Sequence, residues 1–142
     1  MATTHDWRTG TYAIDPQGRG NFDTQSEELK GQEFCMIRYI DTTATNLTSG
    51  DTYKIMTVDA GVLVTSVQTL VTTVEGETGT MQIGDDDADE FDADVNMETA
   101  ALATAGDVSS KYYATANYIS ITPNHALEDC KFYVILKCIR LI

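Results

Sequence analysis

Apolar and polar residues alternate along much of this chain, with the period of a pleated strand rather than of a helix. In Phe34 to Asp41, Cys35, Ile37 and Tyr39 alternate with Met36, Arg38 and Ile40. Thr42 to Asp51 reads as a polar connection, and Thr52 to Val58 as a strand with Tyr53 and Ile55 on one side. Asp59-Ala60-Gly61 is a turn. Val62 to Val74 fits two patterns, because Val64, Val67, Val71 and Val74 also share one helical face. Seven Val and Thr residues between Thr65 and Val74 favour one strand or two short ones, since β-branched side chains are stiff and crowd a helix. Glu75 to Gly79 is a hairpin-like turn, and Thr80 to Ile83 returns as strand.

Gly84 to Asp94 is an acidic loop. Met97 to Ala105, enriched in Ala with Leu102, is the one stretch that predicts a helical turn, ended by Gly106-Asp107. Tyr112 to Thr122 alternates again, until Pro123-Asn124 breaks the strand. Lys131 to Ile142 is the clearest strand. Phe132, Val134, Leu136 and Cys138 form one face, and Tyr133, Ile135, Ile139 and Leu141 nearly fill the other around Lys137. A strand apolar on both sides is a central one, covered on both faces, and the second cover could be another subunit. Residues 1–30 differ: polar and Gly-rich, with isolated Trp7, Tyr12, Ile14 and Phe22 and a turn at Asp15-Pro16-Gln17-Gly18. They predict an extended N-terminal arm, followed by a single β domain over 31–142.

Seven or eight short strands with Gly- and Asp-rich turns predict an all-β fold, an antiparallel β-sandwich or jelly-roll-like barrel. The 142 residues suit one domain, and 21 threonines add to the β-branched content. The longest purely apolar run, Phe132 to Leu136, is far short of the ~20 residues a bilayer requires. The opening Met1 to Trp7 has neither the basic region nor the apolar core of a signal peptide, which predicts synthesis in a cytoplasm.

Charge narrows the partners. The net charge is -13, and twelve acids but no base lie between Lys54 and Lys111. Nucleic acid and anionic membranes are poor partners for such a surface, because phosphate contacts need clustered Lys and Arg. The acids read as a solvated face, or as one that meets cations or a basic partner. Cys35, Cys130 and Cys138 lack paired spacing and read as buried, reduced thiols. His5 and His125 have no partner motif, and no GxSxG or phosphate loop occurs, so the expectation is a protein that is not an enzyme. Within the acidic loop, Asp85, Asp87 and Asp89 stand at alternate positions and can converge on a hard cation such as Ca2+. An EF-hand loop is not matched: Glu90 stands where its Gly would be and Asn96 where its Glu would be.

Met81-Gln82-Ile83-Gly84-Asp85, then Asp89-Glu90-Phe91 and Ala100-Ala101-Leu102, resembles a pattern in small head proteins of tailed bacteriophages. There a strand ends in Ile-Gly-Asp, an acidic loop carries Asp-x-Phe, and a small-residue segment precedes two closing strands. The resemblance covers under half the chain. It implies a decoration or cement protein on the capsid exterior, seated on the major capsid protein lattice, often as a homotrimer. Head-fibre and tail proteins look similar at this level. In that setting Trp7, Tyr12, Ile14 and Phe22 are the candidate capsid or subunit interface, since buried aromatics dominate interfaces, and packing on the arm's own domain is the alternative for its aromatics. The alternative is a Ca2+-dependent carbohydrate-binding module using the acidic loop with exposed Tyr112 and Tyr113.

Overall fold

The computed structural model describes residues 2–8, 33–106 and 110–141. Ten strands are formed among them: β1 (Thr4–Asp6), β2 (Glu33–Asp41), β3 (Thr52–Val58), β4 (Val62–Thr73), β5 (Thr80–Gly84), β6 (Asp92–Asn96), β7 (Leu102–Thr104), β8 (Lys111–Tyr113), β9 (Asn117–Pro123) and β10 (Lys131–Arg140). They build two sheets. Sheet A has the order β1-β3-β9-β5-β6, and sheet B the order β2-β10-β4-β7, with β8 also on β4. The chain crosses between sheets at almost every connection, and β5–β6 is the one consecutive pair hydrogen-bonded to each other. The result is the all-β sandwich that the alternation predicts.

The core lies between the sheets and is built from the inward side of each alternation. Met36 and Ile40 of β2, Val64, Val67 and Val71 of β4, and Phe132, Val134 and Leu136 of β10 meet Tyr53, Ile55, Met56, Met81, Ile83, Ile119 and Ile121 from sheet A. β10 is central in sheet B, antiparallel to both β2 and β4, as its two apolar faces require.

Two bulges change the phase of the pattern. The β4–β10 register shifts beside Lys137 and Cys138, leaving Thr65 unpaired on β4. The inward positions therefore step from Val64 to Val67, a three-residue spacing inside a strand. That step is what makes β4 look helical in one dimension. A second shift between Lys54 and Met56 lets the neighbours Ile55 and Met56 both be buried.

Five local expectations are corrected, the first being the hairpin at Glu75 to Gly79, since β4 and β5 lie in different sheets. Met97 to Ala105 holds no helix; Leu102 to Thr104 pairs with Leu70, Thr69 and Gln68 of β4. A run this short gains little from Ala propensity, while the open edge of β4 offers a ready ladder. Tyr112 to Thr122 is two strands in different sheets, β8 on β4 and β9 between β3 and β5. Cys35 is exposed, because the inward phase of β2 is carried by Met36, Arg38 and Ile40. Tyr113 is buried, leaving only Tyr112 exposed.

Candidate functional site

Three places gather unusual chemistry: the acidic loop, the seat of the N-terminal strand, and the outer face of sheet B. The acidic loop leaves β5 at Gly84, where a Cβ would run into the carbonyl of Asp87, so the tight return needs glycine. The Asp85 and Glu90 N–H groups both donate to the Asp87 carbonyl, at 3.0 and 3.1 Å. Phe91 closes the loop: its N–H donates to the Ile83 carbonyl at 3.0 Å and its ring is wholly buried.

This fold-back turns Asp85 inward. Its carboxylate accepts from Lys111 Nζ at 2.6 Å, Tyr113 Oη at 2.8 Å and the Asp87 N–H at 2.9 Å. Ser120 Oγ of β9 donates to the Asp85 carbonyl at 3.1 Å, and Glu90 stands 3.2 Å from Lys111 Nζ. The cluster thus clasps the end of β5 in sheet A to β8 in sheet B. Burial pushes the Asp85 pKa up, but the hydrogen bonds from Lys111, the Asp87 N–H and Tyr113 outweigh it and hold the group below the usual carboxylate value. Burial pulls Lys111 down, and its hydrogen bonds to Asp85 and Glu90 raise it overall. Tyr113 is pushed up, by burial first and then by Asp85, so it stays a donor.

Of the three aspartates expected around a cation, Asp85 alone points inward, toward Lys111; Asp87 and Asp89 are exposed. No group of three His, Cys, Asp or Glu residues stands ready for a metal ion among the described residues. Sequence reasoning missed Lys111 and Tyr113 as partners of Asp85. The available signal was Lys111 itself, the first base after a 56-residue stretch without one (residues 55–110).

The second place is where β1 joins β3, in parallel, with Thr4, His5 and Asp6 opposite Thr52, Tyr53 and Lys54. Asp51 takes the Thr3 N–H on one carboxylate oxygen at 2.9 Å and His5 Nε2 on the other at 2.8 Å. The His5 bond, then the Thr3 N–H, hold Asp51 below its usual pKa. The His5 ring stacks on Tyr53 with centroids 4.4 Å apart and planes 8° from parallel. Trp7 packs on the same Tyr53 at 4.7 Å and is 4% exposed. Trp7 is therefore part of the core of its own domain. Arg8 reaches back to Asp6, whose carboxyl it holds at about 2. Tyr12, Ile14 and Phe22, the other interface candidates, lie outside the described residues.

The third place is the outer face of sheet B. Tyr39, Tyr133 and Leu70 form one cross-strand row, and Ile37, Ile135 and Gln68 the next. All six are half-buried, and the rings of Tyr39 and Tyr133 lie 4.9 Å apart. Lys137 and Glu33 are exposed charges on this face, which the acidic loop of sheet A does not share. Two open hollows flank the sandwich. One of about 220 Å³ lies between the β6 and β7 edges, and one of about 350 Å³ lies beside Cys35 and Lys137. The second is lined by the exposed thiol of Cys35 together with Glu33 and Lys137. His5 is held by Asp51, His125 stands in an exposed loop, and burial pushes the Cys130 and Cys138 thiols up to about 12. No described helix is long and apolar enough to cross a membrane.

No protein-family model matches the sequence, and no curated protein matches it. Solved structures do share the fold. A chain in the capsid of Ralstonia phage GP4 superposes with a TM-score of 0.63 at 12% identity, over 84% of this chain and 91% of that one. A chain in the capsid asymmetric unit of cyanophage Pam1 does so with a TM-score of 0.64 at 14% identity, over 88% of this chain and 96% of that one. At these identities what the three chains share is the β-sandwich.

Proposed function

We propose that this chain is a structural virion protein that decorates or cements the capsid of a tailed phage, seated as a homotrimer on the major capsid protein lattice. The observation that carries the reading is the end-to-end likeness to chains of two phage capsids, spanning 91% and 96% of those chains. A sandwich of this size is matched there as a whole chain, not as a fragment of a larger one. Two features of the molecule support the same reading. Its distinctive polar cluster is spent on joining the two sheets. Its outer sheet B face offers paired aromatic and aliphatic rows with little charge, the composition of an interface core.

The experiment is co-sedimentation with shells of the cognate major capsid protein assembled without this chain. Saturable binding at a fixed ratio is the expected result; no pelleting at tens of micromolar, about the range of a weak specific contact, removes the proposal. Two variants locate the contact. Tyr133→Asp places a charge at the centre of the outer sheet B face and is expected to weaken binding by about thirtyfold or more. Replacing Tyr12, Ile14 and Phe22 together by serine tests the arm. Substitution is preferred to deletion of residues 1–30, which would also remove the buried Trp7. Unchanged binding by the serine variant removes the arm from the interface.

Light scattering after size exclusion, in Ca2+ and in EDTA, tests the oligomer and the cation together. A trimer in both is expected for a metal-independent interface, and a monomer in both removes the trimer. A change of mass, or of melting temperature, on adding Ca2+ would support an ion at Asp85, Asp87 and Asp89.

A further inference from the structure

Lys111 meets two carboxylates at once. Its Nζ stands 2.6 Å from Asp85 Oδ2 and 3.2 Å from Glu90 Oε1. The Asp85 side chain is wholly enclosed, and that of Lys111 is 31% exposed. Lys131 and Asp41 make a different kind of pair, 3.9 Å apart with side chains 39% and 21% exposed. An amine fixed against an enclosed carboxyl group is in position to condense with it. Positioning of this kind is worth an effective concentration of roughly 10⁵–10⁸ M.

The two Asp85 oxygens have different surroundings. Oδ1 accepts the Asp87 N–H at 2.9 Å, which suits the oxygen that keeps the carbonyl and bears the charge of a tetrahedral intermediate. Oδ2 faces Lys111 and also accepts from Tyr113 Oη at 2.8 Å, which suits the oxygen that departs. Glu90 is the second carboxylate on the amine, placed to carry a proton. As it stands the pair is ionic, because its hydrogen bonds hold Asp85 low and Lys111 high. Burial is the largest single influence on both groups and acts the other way, towards the neutral acid and neutral amine that condensation needs. The reaction therefore follows folding slowly, and a fresh preparation holds the ionic form.

We propose that Lys111 Nζ and Asp85 Cγ condense into an isopeptide bond, with Glu90 as proton carrier, so that the end of β5 in one sheet becomes covalently joined to β8 in the other. The ammonium first gives a proton to Asp85 Oδ2. The nitrogen lone pair then forms a bond to Cγ, and the carbonyl electron pair shifts to Oδ1. Glu90 takes a second proton from the nitrogen and passes it to Oδ2. The pair on Oδ1 re-forms the carbonyl as the Cγ–Oδ2 bond breaks, and Oδ2 leaves with both protons as water. The nitrogen keeps one proton, Glu90 ends as it began, and no oxidant or other reagent is consumed. The bond goes beyond the capsid reading and does not depend on it, since a folded chain closes it alone.

The test is the mass of the intact chain under unfolding conditions, when fresh and after a week folded at neutral pH, followed by a digest. The expected product is lighter by one water and yields a branched peptide joining Asp85 to Lys111. Lys111→Arg keeps a cation beside Asp85 and is expected to retain the full mass. Glu90→Gln keeps the size of the side chain without its proton acceptor, and is expected to form the bond about a hundredfold more slowly. Full mass in the aged native chain overturns the proposal. So does a lost water that maps elsewhere, as in a succinimide at another aspartate, or one that Lys111→Arg loses equally. An unchanged rate in Glu90→Gln overturns the role given to Glu90. Shells play no part in these measurements, so failure to close the bond and failure to bind capsid are separate results.

Discussion

Lys111→Met is expected to lower stability by about 3 kcal/mol at neutral pH, because it leaves a buried carboxylate without its cation. The Asp85 side chain is wholly enclosed, whereas that of Lys111 is 31% exposed, so the figure stands at the low end for breaking a buried pair. Methionine keeps most of the aliphatic stem, and Tyr113 Oη and the Asp87 N–H remain as donors to Asp85. The cost therefore reports charge rather than packing. Its pH dependence follows. In the intact protein Asp85 titrates below its usual value of 3.8, so the pair contributes stability that is present above that value and fades as the pH falls through the lower folded value. In the variant the enclosed carboxyl has lost its cation and takes up a proton earlier. The gap between the two proteins narrows as the pH falls from about 7 towards about 4.5. Urea titrations at those two pH values decide it; an equal gap at both would mean that the cost does not come from the unpaired Asp85 charge.

Phe132→Ala is expected to cost about 3–5 kcal/mol, a large share of the roughly 5–15 kcal/mol that holds a domain together. Phe132 is fully buried and lies between Ile40 and Val71 on the inner face of sheet B. Strands on both sides limit how far the hole can collapse, which keeps the cavity cost high. Tyr133→Ala, one residue along but on the outer face, is expected to cost only about 1 kcal/mol. The contrast between adjacent residues is the measurement, by thermal or chemical unfolding. Equal costs would mean that β10 does not alternate between the core and the outer face as described.

Much of the sandwich was legible because alternation carries it. β3 runs from Thr52 to Val58, as the pattern predicts, and β10 is the central strand that its two apolar faces require. What was lost was lost for identifiable reasons. A bulge at Thr65 converts a two-residue rhythm into the Val64-to-Val67 step of a helix, and one dimension does not distinguish them. Ala-rich Met97 to Ala105 shows a propensity that the edge of β4 overrules. β8 and β9 read as one strand because a change of sheet between Tyr113 and Asn117 leaves no break in alternation. For the site, the acidic run was plain, but which carboxylate turns inward was not. Asp85 and Lys111 are 26 residues apart, and the fold-back at Gly84 that joins them is a three-dimensional fact. Trp7 stood out as an anchor, and only the fold places it on Tyr53 of its own chain.

The place of β10 sets when this protein can fold. β2 and β4 are synthesised early, yet neither pairs with the other; both wait for the strand between them. Glu33 pairs with Ile139 and Asp41 with Lys131, separations of 106 and 90 residues along the chain. Loops of that length close slowly, so maturation belongs in the millisecond-to-second range of non-local β topologies. A nascent chain halted before Lys131 is not a smaller version of the domain: it carries two long strands with unmet hydrogen bonds. Synthesis of β10, rather than emergence of the first strands, is the event that commits the molecule to its structure and takes those strands out of reach of aggregation.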